Sequence, residues 1–204
     1  MSFDLSVIPN KNILLAVTGG IAAYKSAILV RRLKDAGFQV RVVMTEGAQA
    51  FITPLTFQAL SGNPVHTALL DPEAEAGMGH IELARWADLL LVAPASCNTI
   101  AKFAAGLADD LLSTLYLATK APVWVAPAMN QQMWAAKATQ RNLATLVEDG
   151  VHVIMPDAGA QACGDVGLGR MPEPEDLAHQ VTEYFHKAQR AMAEKFGMLA
   201  GKKV

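Results

Sequence analysis

The chain has few cysteines and no long apolar run. It contains two cysteines among 204 residues, Cys97 and Cys163, which are too few for a disulfide framework and suit a reducing cytoplasm. Gly, Pro or charged residues break every apolar stretch before it is long enough to span a bilayer. The N-terminal MSFDLSVIPNKN lacks a basic start followed by a long apolar core, so we expect no secretory signal.

Charge of either sign is not in excess. The formal net charge is −2 at pH 7, which gives no electrostatic reason to propose nucleic acid or an anionic membrane as a partner. What the chain has in abundance is apolar side chains, since 52% of the residues are hydrophobic and 18% are charged. Its length fits one domain with an appended tail. The sequence therefore predicts a globular cytoplasmic protein.

Short runs of Val, Ile and Leu alternate with longer helical stretches. Runs without polar alternation are typical of strands buried on both faces of a parallel sheet. The β-α-β-α order predicts a single-domain α/β fold: a three-layer doubly wound sheet, flavodoxin- or Rossmann-like. The predicted strands are Ile13–Val17, Val40–Met44, Leu89–Ala93, Val123–Ala126 and Val151–Met155. The predicted helices are Ile21–Ala36, Ala48–Leu60, His80–Trp86, Thr99–Ala105, Asp109–Thr119 and Gln131–Asp149.

Two segments interrupt this alternation. Residues 157–175 contain four Gly and two Pro, which predicts a long irregular loop of the kind that is usually functional or disordered. A polar helix is predicted from Asp176 to Phe196, and the final LAGKKV resembles the start of another strand. We predict one domain at 1–185, with 186–204 as a linker helix and the truncated start of a second domain. A frayed tail explains the same residues equally well.

Ligands of doubly wound sheets bind beyond the carboxyl ends of the strands, so the residues there are candidates for a site. After the first strand, Gly19 and Gly20 let backbone N–H groups approach a phosphate at a helix start. Their spacing matches neither the dinucleotide nor the triphosphate fingerprint, and a tight turn without ligand is an equal alternative. Thr45 follows the second strand and offers a hydroxyl to a phosphate or a ribityl chain. Glu46 beside it leaves a nicotinamide cofactor open.

Polar residues also follow the later strands. Ser96, Asn98 and Thr99 form either a phosphate cradle or simple helix caps. Asn130 either caps a helix or presents an amide that can donate to a carboxylate.

Two further residues, His80 and Cys163, are candidates for catalysis. His80 lies at a short helix, where a lone histidine is more often structural than catalytic. Cys163 lies in the glycine-rich loop, and such a loop can carry a thiol onto a bound substrate.

Five stretches in one order carry a family resemblance. They are TGGIAAYK at 18–25, GHIELARWAD at 79–88, PASCNTIAK at 94–102, PAMNQQMW at 127–134 and ACGDVGLGRM at 162–171. The set resembles the flavin-containing cysteine decarboxylases, specifically the phosphopantothenoylcysteine decarboxylases of coenzyme A synthesis, over residues 12–185. Each stretch alone is weak, whereas the five together are specific.

The resemblance implies FMN as cofactor and a role for each matched residue. His80 would serve the oxidation of the substrate thiol to a thioaldehyde, and CO2 would then leave. Cys163 would donate the proton that completes re-reduction. Asn130 and Met133 would hold the substrate, and Asn130 would bind the carboxylate of the substrate. The positions implied around the FMN phosphate and ribityl chain are Gly19, Gly20, Ile21, Thr45, Ser96, Cys97, Asn98 and Thr99. Related sequences often carry Ala in place of Cys97.

The resemblance also implies partners. They are 4′-phosphopantothenoylcysteine as substrate, further copies in a homotrimer or dodecamer with interfacial active sites, and a C-terminal phosphopantothenate–cysteine ligase domain. No metal is expected. The alternatives are a flavin prenyltransferase of the same fold, a non-catalytic flavin-binding regulatory subunit, and a nicotinamide-dependent reductase. Peptides ending in cysteine are an alternative substrate.

Overall fold

The computed structural model describes residues 11–69 and 79–200. A central parallel sheet of six strands has the order β3-β2-β1-β4-β5-β6. This is the strand order of doubly wound nucleotide-binding sheets, so the predicted fold class is confirmed. The strands of the sheet are β1 (Asn12–Val17), β2 (Gln39–Met44), β3 (Val65–His66), β4 (Leu89–Ala95), β5 (Val123–Pro127) and β6 (His152–Val153).

Helices cover both faces of the sheet. The helices are α1 (Ala23–Asp35), α2 (Glu46–Gln49), α3 (Pro54–Ser61), α4 (His80–Trp86), α5 (Cys97–Ala105), α6 (Leu111–Ala118), α7 (Gln131–Ala135), α8 (Lys137–Glu148) and α9 (Pro174–Ala200).

The buried residues form one apolar layer on each face of the sheet, because neighbouring residues of a strand point in opposite directions. In β1, Ile13 and Leu15 pack in the layer with α1, α3 and α9. Leu14 and Ala16 pack in the layer with α4, α5, α6 and α8. All four side chains are at most 1% exposed. The sheet core explains why these runs lack polar alternation.

Two predicted helices are each divided in the structure. The helix predicted at Ala48–Leu60 is divided into α2 and α3, because Pro54 lacks an N–H and begins a helix rather than continuing one. The helix predicted at Gln131–Asp149 is divided at Ala136, whose backbone is extended. There the side chain of Gln140 donates to the carbonyl of Trp134 at 2.6 Å, which satisfies the interrupted helix end.

Other boundaries differ by a few residues. The sequence analysis missed the two-residue strand β3, and the last strand of the sheet is shorter than predicted. Gly37 and Gly150 have φ of 92° and 86°, the left-handed conformation with which helices commonly end at glycine.

The irregular loop predicted at 157–175 was wrong in part. The strands β7 (Asp157–Ala160) and β8 (Val166–Arg170) form an antiparallel hairpin there. Two of its glycines have positive φ, 155° at Gly159 and 138° at Gly169, which residues with a side chain rarely adopt. Glycine-rich strands carry little apolar patterning, which is why the sequence did not reveal them.

The final helix runs without a break through residue 185, where we placed a domain boundary. Leu199 and Ala200, the first residues of the supposed further strand, are helical. Residues 201–204 lie outside the described part of the chain, so the rest of that strand stays a prediction. Within the described ranges, no helix is long and apolar enough to cross a membrane.

Candidate active site

A cavity of about 460 Å³ lies at the carboxyl ends of the central strands. Its wall combines the turn Gly19–Ala22 after β1, Ser96 and Cys97 after β4, and Ala128–Asn130 after β5. The hairpin of β7 and β8 supplies a further part of the wall, including Gln161 and Cys163. Parallel strands bring these distant segments to one sheet edge, where a ligand is expected.

Close backbone packing fixes the turn after β1. A Cβ on Gly19 would lie 3.0 Å from the carbonyl carbon of Gly47, whereas one on Gly20 would meet nothing within 4 Å. Only glycine therefore lets β1 and the start of α2 approach this closely. The fully buried Thr18 joins the next strand end, since its hydroxyl donates to the Pro94 carbonyl at 2.7 Å and accepts from the Ser96 N–H at 2.8 Å.

Hydroxyl side chains at the strand ends cap helices. Thr45 Oγ1 accepts from the Ala48 N–H at the start of α2. Ser96 Oγ accepts from the Thr99 N–H and donates to Thr99 Oγ1 at the start of α5. Thr99 is buried and Asn98 is exposed. The capping interpretation therefore holds for Ser96, which also faces the cavity, and Thr45 is a further helix cap.

The amide of Asn130 is the centre of a polar cluster at the cavity mouth. Its Nδ2 donates to Asp165 Oδ2 at 2.7 Å, to Cys163 Sγ at 3.3 Å and to Gln161 Oε1 at 3.3 Å. Its Oδ1 accepts from the Gln132 N–H at 2.8 Å and caps α7, which fixes the direction of the amide. Cys163 and Asp165 are exposed and face one another, with Sγ 3.6 Å from Oδ2.

Gln161 attaches the hairpin to the sheet. Its Oε1 accepts from the Gln131 N–H at 3.0 Å, and its Nε2 donates to the carbonyls of Met129 and Leu168 at 3.4 and 3.2 Å. The backbone of Gly169 accepts from the Met129 N–H at 2.9 Å. These bonds place Cys163 beside Asn130.

The buried Lys25 anchors the segment that follows the hairpin. Its Nζ donates to the Met171 carbonyl at 2.9 Å and pairs with Glu173 at 2.6 Å, while its side chain is 7% exposed. The sequence analysis missed Lys25, Gln161 and Asp165 as site residues. All three lie in or beside the stretches quoted above, but their partners are distant in the chain.

Most of the predicted site residues meet at this cavity. Met133 borders it and is 47% exposed, and Ile21 borders it and is 60% exposed. Cys97 Sγ lies 3.4 Å from Thr139 Oγ1. The predicted residues that line the cavity are Gly19, Gly20, Ile21, Ser96, Cys97, Asn130, Met133 and Cys163. Among the described residues, four predicted site residues do not line the cavity: Thr45, His80, Asn98 and Thr99.

Away from the cavity, at the start of α6, charged side chains shift one another's pKa. Hydrogen bonds to Asp109 and Asp110 raise the pKa of Lys102. Burial alone would raise the pKa of Asp110, but hydrogen bonds from Lys102 and Ser113 lower it. This cluster is a helix cap, since Asp110 and Ser113 form a reciprocal capping box. In the described residues, no group of three or more His, Cys, Asp and Glu is placed to hold a metal ion.

Three kinds of comparison with known proteins give consistent matches. A family model described as Flavoprotein matches residues 4–186. The coenzyme A biosynthesis bifunctional protein CoaBC of Vibrio parahaemolyticus is 59% identical over 181 residues, which are 89% of this chain and 45% of that protein. The chain thus spans less than half the length of this relative.

Two solved structures share the fold at 35% sequence identity. A mutant PPC decarboxylase complexed with pantothenoylaminoethenethiol has a TM-score of 0.76, covering 87% of this chain and 99% of that one. The FMN-binding protein AtHal3 has a TM-score of 0.74, covering 87% of this chain and 97% of that one.

Proposed function

The chain belongs to the flavoprotein family, and from this membership we propose that it is an FMN-dependent decarboxylase. The proposed reaction converts 4′-phosphopantothenoylcysteine to 4′-phosphopantetheine in coenzyme A biosynthesis. One observation carries the proposal: the amide of Asn130 and the thiol of Cys163 lie 3.3 Å apart at the mouth of the strand-end cavity. In the proposal, Asn130 as carboxylate-binding donor and Cys163 as proton donor act on the same ligand.

The cavity has the properties that FMN requires. Its volume falls in the range of about 300–1,000 Å³ that is usual for cofactor pockets. Helix α1 has 13 residues and no side-chain cap, and the turn preceding it lines the cavity. An uncapped helix start offers N–H groups and a positive dipole end to a phosphate. Ile21, Met129 and Met133 supply apolar wall for a planar ring.

The chemistry needs help because a cysteine carboxylate has no adjacent electron sink. FMN supplies the reversible two-electron oxidation that turns the substrate thiol into a thioaldehyde, which can take up the electrons released with CO2. In our proposal, Asn130 donates to the substrate carboxylate and fixes its direction. Cys163 gives its proton to the carbon that lost CO2, and the hairpin excludes water from the reactive carbon.

The proposed role of His80 requires a second chain. His80 begins α4, outside the cavity wall described above. We propose a homotrimer or dodecamer with interfacial sites, in which His80 of one copy completes the cavity of the next. The exposed Ile21, in the turn before α1, and the exposed Tyr24 and Ile28 of α1 support this, because Ile21 and Tyr24 also border the cavity. A contiguous apolar patch at a cavity rim is typical of a contact surface.

We also propose that this chain acts in the cytoplasm and that residues 1–185 form the decarboxylase domain. Residues 186–204 would link it to a C-terminal phosphopantothenate–cysteine ligase domain, as the bifunctional name of the Vibrio parahaemolyticus relative suggests. The subunit mass of the natural protein under denaturing conditions tests the attached ligase domain: a subunit close to this chain's own 21.7 kDa would contradict it.

Mass spectrometry of incubations with 4′-phosphopantothenoylcysteine tests the activity. We expect loss of CO2 from the substrate, and a flavin absorbance spectrum in the purified protein. Cys163→Ser should keep FMN and release CO2 but stall before the reduced product, whereas His80→Asn should keep FMN and release none. Gln189→Asn changes an exposed residue of α9 outside the cavity and is the control that should behave as wild type. A colourless protein that takes up no FMN would refute the proposal.

A further inference from the structure

The amide of Asn130 is already fully engaged. Its NH2 group has two hydrogens, yet three acceptors lie within 3.3 Å, from Gln161, Cys163 and Asp165. The shortest contact, 2.7 Å, is to the carboxylate of Asp165. A substrate carboxylate that binds Asn130 must therefore displace one of these acceptors.

Asp165 is the acceptor that gives way. Gln161 is held by three further hydrogen bonds, to Gln131, Met129 and Leu168. Asp165 is exposed on a turn of the hairpin, and its carboxylate repels a second carboxylate at the same donor. Water is available to solvate Asp165 as soon as it leaves.

We propose that Asp165 occupies the substrate-carboxylate position on Asn130 and thereby weakens the binding of carboxylate-bearing ligands relative to decarboxylated ones. This inference rests on the proposed function. Asp165 also accepts a contact from Cys163 Sγ at 3.6 Å, so its displacement releases the thiol at the moment a substrate carboxylate arrives. After CO2 leaves, nothing opposes the return of Asp165 to Asn130.

Two unreactive ligands isolate this effect. 4′-Phosphopantothenoylserine carries the carboxylate but no thiol, and 4′-phosphopantothenoyl-ethanolamine lacks both. Calorimetric titration of the FMN-loaded protein measures the affinity for each without turnover. Asp165→Ala should bind the serine ligand roughly three- to tenfold more tightly, as expected for removing an exposed charge-assisted competitor. Its affinity for the ethanolamine ligand should stay within about twofold.

Two further variants serve as controls. Asp165→Asn keeps the shape and an acceptor but no charge, so it should show part of the gain even if the alanine variant folds poorly. Asp157→Ala removes another exposed carboxylate of the same hairpin and should leave both affinities unchanged. Equal tightening of both ligands, or no tightening of the serine ligand in either Asp165 variant, would overturn the inference.

A parallel incubation of wild type with 4′-phosphopantothenoylcysteine separates the two proposals. CO2 release without the expected change in ligand preference leaves the proposed function standing and rejects the role of Asp165. The expected change in preference without CO2 release supports the carboxylate exchange and rejects the decarboxylase.

Discussion

The two halves of the cavity wall are built differently. The strand-end half rests on buried groups such as Thr18, which is fully buried and hydrogen-bonded to the Pro94 carbonyl at 2.7 Å and the Ser96 N–H at 2.8 Å. The hairpin half is exposed and rests on a few polar side chains, chiefly Gln161 and Lys25. A cofactor cradle gains from a rigid sheet edge, whereas a segment that must admit substrate gains from weaker attachment. Substitutions on each side should therefore give different defects.

The largest expected effect follows from Gly169→Ala on the hairpin side. A Cβ there would clash with the Met129 carbonyl, and φ of 138° disfavours any side chain. We expect the free energy of docking the hairpin onto the sheet edge to become about 3 kcal/mol less favourable. Turnover should fall roughly a hundredfold, with FMN retained. Gly106→Ala is the control, because φ there is 65°, no atom lies within 4 Å of its Cβ, and the residue ends α5 outside the cavity wall. Turnover assays and flavin absorbance check this; turnover equal to that of the control would contradict it.

On the strand-end side, Gly19→Ala should lower the free energy of unfolding by about 1–3 kcal/mol, because the new Cβ presses on the backbone of Gly47. Gly20→Ala, one residue along, meets open space and should unfold like wild type. Urea denaturation of the two variants measures the difference. Superimposable denaturation curves would show that the backbone at Gly47 shifts to accept the new Cβ without loss of stability.

A smaller effect is expected for Lys25→Met, where a buried ammonium joins the two halves. The variant should lose about 1–2 kcal/mol of unfolding free energy, because the Met171 carbonyl loses its donor while Glu173, half exposed, turns to water. Lys187→Met removes an exposed lysine of α9 and is the matched control. If urea denaturation gives equal midpoints for both variants, Lys25 does not anchor the segment.

The smallest effect is expected for Gln161→Leu. Loss of its bonds to Met129 and Gln131 should speed hydrogen exchange in β8 roughly fivefold, about 1 kcal/mol of local stability. The central sheet should exchange as in wild type. Gln132→Leu changes an exposed neighbour and should leave both regions unaffected. Equal acceleration in the sheet would mean that the two halves open as one unit.

The same contrast explains what the sequence revealed. Continuous apolar runs identified the sheet and its ligand edge, because a buried strand such as β4 is a short unbroken run of apolar residues. The hairpin escaped because its register depends on Gly169 meeting Met129, forty residues earlier in the chain. Asp165 stood in a quoted stretch, but its contact with Asn130 spans 35 positions. Pairings of this kind depend on the folded path and not on local pattern.

Helix α9 gives the molecule a long reach. It starts at Pro174, three residues after the Met171 carbonyl that Lys25 holds, and continues for 27 residues. At about 1.5 Å per residue this amounts to roughly 40 Å. Any segment attached beyond Ala200 is therefore joined to the part of the chain that Lys25 holds by a continuous helix of this length.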